Sequence, residues 1–229
     1  ADQAPHLALA QLAYRCLSGS DAIENVAELA QGIAESIPAD PRSWLGLANI
    51  YKELDDAEGE AAAVKKALEV GPRFPEAIFR HAALMEQQGE YSKAVADYRT
   101  LVEVAPDSSA AQNNLAYTLL LAGGNDEEAL KHAAIAAENR PRDAGVLHTL
   151  GLAQMRTGNL EDADKNLRRA TEIDPANPTI MYDFGRLLAK QDLKEEAAKR
   201  VRYALAMSKN AGLDFPQADE AEAFLDTLQ

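Results

Sequence analysis

The stretch AGVLHTLGLAQMRTGNLEDADKNLRRATEIDPAN, residues 144–177, decides the fold, because its phase recurs along the chain. Its last proline, Pro175, is one of a series: Pro38, Pro72, Pro106, Pro141 and Pro175 are spaced by 34, 34, 35 and 34 residues. Each follows an apolar-periodic, alanine-rich segment that reads as a helix. Proline lacks the N–H that a helix interior needs and disfavours helical geometry in the residue before it. The prolines therefore punctuate a repeated unit, and a repeat of this length takes precedence over any element-by-element reading.

Four further ladders run in step. Ala67, Leu101, Ala136, Ala170 and Ala204 form one, and Ala94, Ala129, Ala163 and Ala197 another. Ala48, Ala82, Ala116, Gly151 and Gly185 form a third. Small residues at fixed phase mark places where two helices approach too closely for a larger side chain. Gly89, Gly123 and Gly158 fall in the turn inside each unit, where a glycine can adopt positive φ and end the first helix.

The segment Trp44-x-x-Leu47-Ala48-x-x-Tyr51, followed by Val64, Ala67 and Pro72, resembles the tetratricopeptide signature, with Ala48 in place of its usual glycine. Leu150-Gly151, Gly158, Ala163, Leu167, Ala170 and Pro175 match it more closely. The resemblance implies an all-α fold: a right-handed superhelical stack of antiparallel helix pairs, an α-solenoid. Five repeats are expected at 41–74, 75–108, 109–143, 144–177 and 178–211. Residues 1–6 read as a disordered lead-in and 7–40 as a degenerate helix pair, with helices near 7–17 and 21–36. A helix near 217–228, within 212–229, is expected to cap the last apolar face, because an open stack must cover it. Glu60 stands where the family prefers alanine and His81 where it prefers leucine, and the third repeat carries one extra residue around Gly123-Gly124-Asn125-Asp126.

Composition agrees. Apolar residues make up 47% of the 229 residues and aromatics 6%, while alanine, the best helix former, is abundant. The charge, 23 − 37 = −14, argues against nucleic acid or anionic membrane as partner, since both require basic patches. No run approaches the ~18 consecutive apolar residues of a membrane-spanning helix, so no direct membrane insertion is expected. Residue 1 is Ala, not Met, and the chain reads as processed or cut from something longer. A cytoplasmic protein and an envelope-exposed domain both fit.

Catalytic and metal signatures are missing. Cys16 is the single cysteine, which leaves no disulfide and no thiolate metal site. His6, His81, His132 and His148 have no metal-ligand spacing, and no phosphate-binding glycine loop or nucleophile elbow occurs. His81 occupies a core phase, where a hydrogen-bonded imidazole is expected. The expectation is a protein without catalytic residues, cofactor or metal.

In the family that the chain resembles, the first helix of each pair lines the concave surface. Stacking uses Trp44, Leu47 and Tyr51 and their equivalents, so the opposite helix face looks into a groove. This implies Arg42, Leu45, Asn49 and Lys52, then Glu76, Phe79, Arg80 and Ala83, then Asn113, Asn114, Tyr117 and Leu120. His148, Thr149, Leu152 and Arg156 follow, and last Tyr182, Asp183, Arg186 and Lys190. Asn49, Arg80, Asn113, Asn114, Tyr117, His148, Tyr182 and Arg186 are the candidate peptide contacts. Asparagine donates to and accepts from a peptide backbone, aromatics supply apolar area, and arginine clamps carboxylates. A clamp for a C-terminal carboxylate is not expected, because Leu45 and Arg80 occupy positions where that clamp needs Lys and Asn. The expected role is a scaffold that holds a peptide or helix of a protein partner. The alternative is a structural spacer or self-assembly segment of a longer repeat protein, and in its self-assembly form the chain would be a homo-oligomer.

Overall fold

The computed structural model describes residues 23–213 and 215–228, and these contain twelve helices and no strand. The helices are α1 (Ile23–Ser36), α2 (Pro41–Glu53), α3 (Ala57–Val70), α4 (Pro75–Gln87), α5 (Tyr91–Val104) and α6 (Ser109–Ala122). They continue as α7 (Asp126–Asn139), α8 (Ala144–Arg156), α9 (Leu160–Ile173), α10 (Pro178–Lys190), α11 (Lys194–Ala211) and α12 (Ala218–Asp226). The expected lead-in, the helix near 7–17, His6 and Cys16 lie outside the described residues.

Packing is densest within the consecutive pairs α2/α3, α4/α5, α6/α7, α8/α9 and α10/α11. Connections this short force neighbouring helices antiparallel. The chain divides into two compact units, Ala1–Pro106 and Asp107–Gln229. In the first, α1 packs on α2, and two helix pairs follow; in the second, three pairs are followed by α12, which packs on α11.

The ladders have direct structural counterparts. α3, α5, α7 and α9 end at Val70, Val104, Asn139 and Ile173, each two residues before a ladder proline. Ala67, Ala136, Ala170 and Ala204 are wholly buried, as are Ala94, Ala129, Ala163 and Ala197. At Gly151 a Cβ would sit 2.6 Å from Cγ of the buried Leu167, and at Gly185 2.9 Å from Cγ2 of Val201. Helix contact at these positions admits no side chain. Six helices begin on a capping side chain: Asp40, Asp56, Ser108, Asn125, Asp143 and Asn177 each accept from a backbone N–H of the first turn.

Gly89, Gly123 and Gly158 have φ of 74°, 71° and 86°. The same turn in the first and fifth repeats holds Asp55 and Asp192, with φ of 58° and 64°. Aspartate tolerates this left-handed region better than most residues, yet still less well than glycine. Asp192→Gly is accordingly expected to stabilise the chain by about 0.5–1 kcal/mol, read as a higher urea midpoint with unchanged slope. A lower midpoint would show that the Asp192 carboxylate contributes more than the backbone strain removes.

Each unit has its own core. The first is built on Trp44, Leu47, Ile50, Val64 and Ala67, and the Trp44 indole donates to the Pro38 carbonyl at 3.1 Å. In the second, Leu115, Leu147, Leu167, Phe184, Leu187 and Val201 are fully buried. Its C-terminal end is closed by Tyr182, Phe215, Ala221 and Phe224, with Phe215 and Phe224 edge-on to the Tyr182 ring at 5.8 and 6.1 Å.

Candidate functional site

The inner helix of each pair carries the residues singled out in the sequence, and the structure distributes them between the two units. In the first unit Asn49 on α2 and Arg80 on α4 are hydrogen-bonded through Asn49 Oδ1 and Arg80 Nη1. Arg80 also donates to Glu60 Oε1 on α3, from Nη2 at 2.8 Å and Nε at 3.2 Å. Both ends of the ion pair are largely buried, with side chains 20% and 12% exposed. Glu60, the departure from the expected alanine, thus exists together with Arg80, and the pair ties one repeat to the next. His81, the other departure, is half-buried, its Nδ1 2.6 Å from Asp97 Oδ2 on α5. A position that would take an apolar side chain holds a polar link inside the second pair.

In the second unit α6, α8 and α10 are consecutive inner helices, with α6 and α10 each packed against α8. His148 Nε2 lies 2.8 Å from Asp183 Oδ2, and both side chains are buried. Arg186 Nη1 donates to the other oxygen, Asp183 Oδ1, at 2.9 Å. The guanidinium also stands 5.7 Å from the Tyr182 ring centre. Burial pushes the Tyr182 phenol above its ordinary pKa, and the Arg186 charge opposes part of that rise. Tyr117 is half-buried, its ring 6.5 Å from that of His148. Asn113 and Asn114 are half-buried one turn earlier on α6; Asn113 Nδ2 is 3.5 Å from Asn114 Oδ1. The buried Asn113 Oδ1 has no partner among the described residues.

The surface these helices present is therefore more closed than helical spacing alone implies. Leu45, Leu120, His148, Thr149, Leu152, Tyr182 and Asp183 are all buried. In the second unit the cause is the direct packing of neighbouring inner helices, which covers residues that a single helix would leave open. Tyr182 is covered from a further side by the rings beneath α12.

In the first unit Phe79 on α4 stays 42% exposed, and in the second a cleft of about 180 Å³ is formed by α6, α8, α10 and the residues around the start of α12. Leu120, Leu152 and Met155 supply apolar area, Tyr117 an aromatic edge, and Arg156, Arg186 and Glu220 charge. Leu121, 42% exposed, stands at its lip. Arg156 bonds Asp126 of α7 at 3.1 Å, which holds the guanidinium beside the cleft. Met155, Leu121, Gln217 and Glu220 extend the set of inner-face residues read from the sequence. The cleft needs the end of α8 and the segment leading into α12 together, and no repeat-by-repeat projection brings these into one place. Among the described residues no group of His, Cys, Asp and Glu is placed to hold a metal ion. No described helix is long and apolar enough to cross a membrane.

Comparison with known proteins agrees with this architecture. The TPR repeat-containing protein YpiA of Bacillus subtilis is 24% identical over 187 residues, which are 81% of this chain and 44% of YpiA. Anaphase-promoting complex subunit 3 of Schizosaccharomyces pombe is 23% identical over 160 residues, 70% of this chain and 24% of that protein. The chain thus spans less than half the length of these curated relatives. Among solved structures, YrrB, described as a TPR protein with an unusual peptide-binding site, superposes with a TM-score of 0.64 at 20% identity. That match covers 86% of this chain and 99% of YrrB. MamA from Desulfovibrio magneticus gives a TM-score of 0.63 at 18% identity over 74% of this chain and 96% of that one. The profile of the tetratricopeptide repeat matches residues 40–210, and with helix pairs, small-residue ladders and turn glycines all in that phase, the chain belongs to the tetratricopeptide-repeat family.

Proposed function

We propose that this chain is a non-catalytic scaffold that holds an extended peptide or a helix of a protein partner against the inner helices of its second unit. A role in protein interaction follows from the family; the peptide and the place are the proposal. The observation that carries it is the cleft with a leucine and methionine floor, an aromatic edge from Tyr117, and Arg156 and Arg186 at its side. Such a mixture suits a peptide that buries one apolar side chain and directs backbone and carboxylate groups to the rim. YrrB, of the same fold, is described as having a peptide-binding site, which makes a peptide the natural class of ligand. Asn49 and Arg80 belong to the first unit, where their bonds to each other and to Glu60 give them a structural task. His148 and Tyr182 are buried and touch residues that line the cleft, His148 through its bond to Asp183 and Tyr182 through the Arg186 guanidinium.

The test is selection from a random peptide display library on the whole chain, repeated with Leu121→Asp. The exposed Leu121 can be changed without opening the core, so the variant should melt as the wild type does. Peptides sharing an apolar anchor are expected, with affinity reduced at least ~10-fold by Leu121→Asp. Peptides that bind both proteins equally would place the interaction elsewhere, and recovery of no peptide would remove the proposal.

A further inference from the structure

A second cleft, of about 270 Å³, lies between α11 and α12 at the C-terminal end of the second unit. Lys194, Lys199 and Arg202 of α11 line it together with Glu195, and Ala198, Leu225 and Leu228 form its apolar part. Three cations against one carboxylate give the lining a net charge of 3 − 1 = +2, in a chain whose total is −14. Several other basic side chains of this unit are ion-paired: Arg156 with Asp126, Lys165 with Glu161 and Asp162, Arg168 with Asp164, and Arg186 with Asp183. Lys194, Lys199 and Arg202 have no ion-pair partner among the described residues, although Glu195 lies four residues before Lys199, within reach on the same helix. Tyr203, 53% exposed, follows Arg202 and stands one turn beyond Lys199.

Basic side chains left unpaired around an apolar slot, on an otherwise acidic molecule, define both the sign and the shape of what fits there. We infer that this cleft is a second docking site, one that takes an acidic segment of a protein partner carrying a leucine or phenylalanine between glutamates or aspartates. The apolar side chain enters between Ala198, Leu225 and Leu228. The flanking carboxylates meet Lys194, Lys199 and Arg202. The volume suits one or two side chains and is below the ~300 Å³ at which pockets for whole small molecules begin. On a chain of net charge −14, a lining with three cations and one carboxylate favours an acidic segment over a neutral or basic one. The site is formed by an outer helix and the capping helix and shares no residue with the cleft of α6, α8 and α10.

The experiment is fluorescence anisotropy of a labelled Glu/Leu-rich peptide with the whole chain, alongside Gln/Leu-rich and Lys/Leu-rich peptides of the same length. The acidic peptide is expected to bind most tightly and to weaken steeply with added salt. Lys199→Glu/Arg202→Glu, and separately the neutral Lys199→Gln/Arg202→Gln, should reduce its affinity by at least ~10-fold with the helical spectrum retained. Leu121→Asp should leave it unchanged, which separates this site from the one proposed above. Absence of acidic-peptide binding, equal binding of the Gln/Leu-rich peptide, or indifference to both charge variants would each overturn the inference. So would retention on phosphatidylserine vesicles, lost on charge reversal, without acidic-peptide binding, since the cleft would then serve a lipid surface.

Discussion

Phe184→Ala is expected to lower the stability of the second unit by about 3–5 kcal/mol, the cost of deleting a fully buried aromatic side chain. Phe184 is 1% exposed at the middle of α10. Two guanidinium groups lie near its ring, Arg168 from α9 and Arg200 from α11, each 5.2 Å from the ring centre. The ring therefore joins the outer helix of one repeat to the outer helix of the next, and its removal leaves a cavity at a junction of three helices. Repeat arrays are held together by such neighbour interfaces, so the loss should uncouple the last repeat and α12 from the rest. Urea unfolding followed by circular dichroism should show a lower midpoint and a broader or two-step transition. A shift under about 1 kcal/mol would mean that the fifth repeat does not depend on this ring.

The second large effect concerns the ion pair of the first unit. Arg80→Ala should destabilise by about 2–3 kcal/mol, because the mostly buried Glu60 carboxylate then loses its only described ion-pair partner. The figure is set below that of a fully buried pair, since Arg80 keeps some exposure and water screens it. Glu60→Ala, which restores the side chain that the family favours, should recover most of the loss when combined with Arg80→Ala. Thermal melts of the four proteins form a double-mutant cycle. Additive effects would show that the two side chains contribute independently.

The repeat was legible in the sequence because it is written in residues whose backbone and packing demands are absolute. A proline cannot sit in a helix interior, so it marks a boundary: the ladder prolines follow helix ends, and Pro41, Pro75 and Pro178 begin helices. At Gly151 nothing larger than hydrogen fits over Leu167, and the turn glycines have positive φ. Asp55 and Asp192 in the same turn escaped notice, because positive φ is not inscribed in an aspartate. Which residues share an inner helix face was also legible, since spacing within one helix determines it. How much of that face stays open was not. His148 and Asp183 are 35 residues apart and meet only when α8 and α10 pack. Tyr182 is closed off by Phe215 and Phe224, which belong to no repeat position. The partner of Arg80 was invisible for the same reason: the unusual Glu60 acquires a purpose only once α3 and α4 are side by side.

The central claim is that the inner helices of the second unit hold a peptide, and chemical-shift mapping tests it most directly. The isotopically labelled chain would be titrated with a peptide from the display selection. The account predicts that amide shifts concentrate on α6, α8 and α10, around Asn113, Tyr117, Leu121, Met155 and Arg186. Shifts confined to the outer helices or to the first unit would contradict it.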